Sequence, residues 1–87
     1  MSNADLIEEL DGLKAILAAG EVNAESAAGS FERMVWMLEG VSRDDDRRLA
    51  DMVNDIERIR FSRLEANQPA AIGEVLQRAS EVFARYR

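Results

Sequence analysis

Asp44, Asp45 and Asp46 form the densest run of chemically capable side chains in the sequence. Three adjacent carboxylates suggest a hard-cation site. Their spacing argues against one, because an EF-hand loop draws ligands from alternating positions and needs a glycine at its turn. Ser42 stands two residues before them. A capping residue followed by acids in the first turn is the arrangement that a helix dipole favours. The run therefore predicts a helix start rather than a metal site. Glu8 and Glu9 are adjacent in sequence, but on a helix they diverge by about 100° and make no obvious di-metal pair.

The sequence holds no histidine and no cysteine. That removes the commonest general base, the commonest transition-metal ligand and the thiolates of structural zinc. Carboxylate metal sites of four-helix proteins also need a Glu-x-x-His pair. Phosphate-binding glycine loops and the Gly-x-Ser-x-Gly elbow are missing, and the serines have no adjacent base to activate them. The expectation is a non-catalytic protein with no cofactor and no metal.

Arg47, Arg48, Arg58, Arg60 and Arg63 make one segment locally basic, with Phe61 interleaved. Basic residues and aromatics together can bind nucleic acid. Pairing within the helix is the stronger reading. Asp44 lies three or four residues from Arg47 and Arg48, Asp55 three from Arg58, and Glu57 three from Arg60. Glu74–Arg78 and Glu81–Arg85 repeat the device further on. No nucleic-acid partner is expected. Ten arginines against one lysine, with many alanines, fit the GC-rich coding bias common in bacteria and phages.

Charge is divided unevenly. Residues 1–40 carry eight acids and two bases, a net of −6, while residues 41–87 carry nine of each. Asp5, Glu8, Glu9, Asp11 and Glu32 are the candidates for an acidic face. Such a face repels phosphate backbones and attracts a basic protein.

Four helices are needed to place these groups, at about 3–19, 24–39, 43–66 and 69–86. In the first, Leu6, Leu10, Leu13 and Leu17 recur at helical spacing, Ser2 and Asp5 suggest a capping box, and Gly20 fits the stop. Asn23 caps the second, whose core stripe is Ala27, Ala28, Phe31, Met34, Val35 and Leu38, and Gly40 ends it. The third buries Leu49, Met52, Val53, Ile56, Ile59 and Leu64. Asn67-Gln68-Pro69 breaks the chain. The fourth carries Ile72, Val75, Leu76, Ala79, Val82, Phe83 and Tyr86. Short loops favour antiparallel neighbours. The expected fold is all-α, a small antiparallel four-helix bundle or two packed helical hairpins, in one domain spanning 1–87. No segment is apolar enough for a membrane span and no secretory leader is recognisable, so a cytoplasmic location is expected.

A few apolar residues leave this pattern. Trp36 falls about 130° from the core stripe of its helix, Met37 lies off the opposite flank, and Phe61 falls about 130° from its own stripe. Either the helices are wrapped on two sides and these residues are secondary core, or they form an exposed interface patch. Trp36, Met37 and Phe61, rimmed by Arg33 and Arg60, have the composition of an interface hot spot. A chain this short gains stability by self-association, so a homodimer is expected. The expected function is an acidic protein-interaction module, of inhibitor, immunity or antitoxin type, that binds a basic partner. The alternative is a structural or adaptor subunit, including a phage-type assembly protein, that works through its apolar face.

Overall fold

The computed structural model describes residues 2–62 and 64–87. Helix α1 spans Asn3–Ala18, α2 Ala24–Met37, α3 Arg43–Ser62 and α4 Gln68–Phe83. Single 3-10 turns precede and follow α4, at Glu65–Asn67 and Ala84–Tyr86. The termini are built as the local sequence dictates. The Ser2 hydroxyl accepts from the Asp5 backbone while the Asp5 carboxylate accepts from the Ser2 N–H, both at 3.2 Å. Asn23 accepts from Ser26, and Ser42 from Asp45. Gly20 takes φ 74°, which lets the Glu21 N–H reach the Ile16 carbonyl at 2.8 Å and close α1.

The chain is an all-α four-helix bundle in which each helix runs antiparallel to its neighbours. Glu9 of α1 pairs with Arg33 of α2, and Lys14 of α1 donates to Gln77 of α4. Arg78 of α4 meets Asp55 of α3, and Arg85, just beyond α4, meets Asp45. Since α4 lies against both α1 and α3, the helices form one ring around one core. Leu6, Leu10, Leu13 and Leu17 point inward from α1, joined by Ile7. Phe31 of α2 and Phe83 of α4 stack across the centre, ring centroids 6.4 Å apart. Val35, Val53, Ile59 and Tyr86 are only partly buried against this cluster.

Three helix ends differ from expectation. Helix α4 gives way to the 3-10 turn after Phe83 instead of continuing to Tyr86. Helix α2 stops at Met37 because Leu38 turns extended (φ −67°, ψ 128°) and drops its side chain into the core. Helix α3 stops at Ser62 rather than near residue 66, and Arg63 lies outside the described residues. Leu64, expected in the core, is extended (φ −60°, ψ 141°) and 76% exposed. Leaving the helix there carries it off the α3 stripe. Gln68 keeps helical angles although Pro69 follows it, and its amide donates to the Arg60 carbonyl in the last turn of α3.

Asp45 is the one buried charged residue among those described, at 5% exposure. Its carboxylate accepts from the Tyr86 hydroxyl (2.5 Å), from Arg85 (3.0 Å) and from Arg48 (3.1 Å). The neighbouring Asn3 side chain donates to the carbonyls of Glu39 (2.9 Å) and Tyr86 (3.0 Å) and accepts from the Glu39 N–H (2.9 Å). One end of the bundle is thus tied from all four helices. The local pairs expected from sequence change accordingly. Arg48 takes Asp45 instead of Asp44, Arg85 takes Asp45 instead of Glu81, and Arg78 takes Asp55 instead of Glu74. Asp55–Arg58 and Glu57–Arg60 form as the spacing implies, at 3.0 and 3.1 Å.

The Tyr86 hydroxyl, helped by Arg85 and Arg48 and opposed by burial, holds the Asp45 carboxyl below its ordinary value of 3.8. A depressed acid stabilises the fold fully above that value and ceases to do so as pH falls through the folded one. Asp45→Asn should therefore lower Tm at neutral pH and lose less Tm than wild type on acidification below pH 3.8. Thermal melts from pH 7 to about 2 check this; parallel curves would count against it.

Candidate protein-interaction surface

Trp36, the sole tryptophan, sits one residue before the end of α2. Leu38 takes the inward position at this end, so Trp36 is left on the outside at 80% exposure. The secondary-core reading of this residue is thereby excluded. Trp36 borders a groove of about 310 Å³ between α2 and α3. Helix α2 contributes Glu32, Val35 and Trp36, with Leu38 just beyond it, and α3 contributes Asp46, Ala50, Val53 and Asn54. Both sets follow helical spacing, so each helix presents one continuous strip to the groove. Glu32 and Asp46 have no ion-pair partner among the described residues.

The five interface candidates do not make one patch. Phe61, at 81% exposure, lies at the far end of α3. Its ring receives the Arg60 guanidinium at 5.5 Å, and Arg60 also binds Glu57. Around it are Asn23, Ala24 and Glu25, from the start of α2. Twelve residues of helix, about 18 Å, separate Ala24 from Trp36. Met37 turns the other way, toward α1. It is 38% exposed and touches Arg33, which is engaged by Glu9. A helical wheel fixes the angle of a residue about its own axis but not its position along a neighbour. Antiparallel order puts the C-terminal end of α2 beside the N-terminal end of α3, and that separates Trp36 from Phe61.

The acidic candidates divide as well. Asp5 closes the cap of α1, Glu9 is paired with Arg33, and Asp11 holds Lys14 at 3.2 Å. Glu8 is exposed with no ion-pair partner among the described residues. Glu32 does not lie with them: it belongs to the α2/α3 groove. Asp46, Ala50 and Val53 were missed as companions of Trp36. The strip Asp46, Ala50, Val53 has spacings of four and three, but only the bundle shows which helix it meets. Asp45 carried a legible signal. It continues the buried stripe Leu49, Met52, Ile56 backward by four residues.

With so little around it, Trp36 should be quenched by acrylamide nearly as readily as a free indole. Trp36→Ala should change the unfolding free energy by no more than about 0.5 kcal/mol, as for other surface positions. A protected indole, or a larger loss in denaturant melts, would place Trp36 inside the fold.

Comparisons with protein-family models, curated proteins and solved structures returned no match, so any functional reading rests on the chemistry of this chain.

Proposed function

We propose that this chain is a non-catalytic protein-interaction module, of inhibitor, immunity or antitoxin type, that binds a basic partner. The observation that carries the reading is Trp36, largely exposed on an ordered helix, beside two carboxylates with no cation of their own. An exposed tryptophan bordering a groove with an apolar floor has the chemistry of a binding anchor. The wider charge agrees. Most arginines of α3 and α4 are spent on Asp45, Asp55 and Glu57, whereas residues 1–40 keep a net of −6. A field of that sign raises the association rate of cationic partners and is screened by salt. The same reading places the chain in the cytoplasm. Among the described residues no helix is long and apolar enough to cross a membrane.

The charge element is tested with oligolysine and oligoglutamate as probes. Oligolysine should bind, and weaken at least about tenfold between about 50 and 500 mM salt, as the screening length falls from more than ~10 Å to less than ~5 Å. Oligoglutamate should not bind. Equal behaviour of the two, or salt-independent binding of oligolysine, would overturn the reading.

Phe61 and Leu64, both more than three-quarters exposed at the opposite end, favour a second reading as a self-associating structural or adaptor subunit. Solution mass then rises with concentration for the wild type and stays at one chain for Phe61→Ser. A concentration-independent monomer removes that reading and its homodimer.

A further inference from the structure

We infer that the α2/α3 groove takes an amphipathic helix of a partner protein, with an apolar ridge flanked on both sides by lysine or arginine. This rests on the interaction reading above and assigns that surface its ligand. The floor is apolar, made of Val35, Leu38, Ala50 and Val53. No buried polar group converges on it, as a small-molecule site requires for orientation. The walls are two antiparallel helices, and among the described residues no sheet edge is available to be extended by a strand, so helix-in-groove is the matching recognition mode.

The carboxylates set the chemistry of the ridge. Glu32 is on the α2 wall and Asp46 on the α3 wall. Because the helices run antiparallel, Asp46 lies toward the Trp36 end and Glu32 toward the Asn54 end. A ligand filling the floor therefore meets an acid on each flank, the two offset along the groove. A helix with cations on both sides of its apolar stripe satisfies both at once. A peptide with charge on one side leaves a carboxylate unmet. The Trp36 ring at one end offers its face to an arginine or its edge to an aliphatic side chain. Asp46 to Asn54 is about 12 Å of α3, which matches roughly two turns of ligand helix. So short a contact implies modest affinity, in the micromolar range or weaker.

The test uses a tryptophan-free synthetic leucine–lysine peptide of about five helical turns, with lysines flanking the leucine ridge, and a shuffled peptide of the same composition. Trp36 emission and calorimetry report binding. The ordered peptide should bind at least tenfold tighter than the shuffled one and shift Trp36 emission to the blue. Glu32→Gln with Asp46→Asn should weaken it at least tenfold, as should Trp36→Ala read by calorimetry. Glu81→Gln, exposed on α4 and outside the groove, should leave it unchanged. Melting curves establish that each variant is folded. Equal binding of both peptides overturns the helix assignment but leaves the acidic-binder reading standing. Equal weakening by Glu81→Gln places the contact elsewhere and also overturns it. Failure of both peptides together with oligolysine removes both readings.

Discussion

Asp45 is a charged side chain with almost no water around it, and a carboxylate so placed has to be met by donors and cations supplied from the protein. It lies in the first turn of α3. Its partners come from α3 itself and from the segment that follows α4. Once they are met, the end of α4 is fixed against the start of α3. Tyr86 then offers its carbonyl to Asn3, and Asn3 binds the chain leaving α2. One desolvated acid thus sets the relation of all four helices at one end of the bundle. Hydrophobic burial supplies the main driving force but has no direction of its own. Polar pairs of fixed geometry supply direction.

Pairing at Asp45 also shapes the surface. Arg48 and Arg85 share that carboxylate, and Arg58 and Arg78 share Asp55. Most of the arginines of α3 and α4 are occupied in this way or on Glu57, while Glu32 and Asp46 beside the α2/α3 groove have no ion-pair partner among the described residues. An exposed carboxylate with water around it is inexpensive to leave unpaired, whereas a guanidinium beside a buried carboxylate is held in place. The groove beside the one tryptophan therefore carries two acids without a cation of their own among the described residues. At the opposite end Phe61 and Leu64 stand out of the bundle.

Much of the fold was legible in the sequence because its determinants are local. Ser2 and Asp5, Asn23, Ser42 and Gly20 set helix ends through contacts within a few residues. The leucines of α1 and the stripe through Phe31 and Met34 marked the inward faces through a period of 3.6. The wheel also sent Trp36 and Phe61 outward, and both lie outside. Leu64 went wrong because its place depended on where α3 ends, and the end of a helix is less strongly encoded than its middle.

What the sequence by itself determined is the class, the four helices and which residues turn away from each helix's core. The tertiary structure decided the rest. It decided that Asp45 is buried while Asp44 and Asp46 are not. It gave Arg78 and Arg85 partners on another helix. It parted Trp36 from Met37 and Phe61, and seated Trp36 beside Glu32 and Asp46. The physical reason is the same in each case. Periodicity fixes an angle about one axis, whereas a contact between helices depends on register and direction along two. That information arises only when distant segments are brought together.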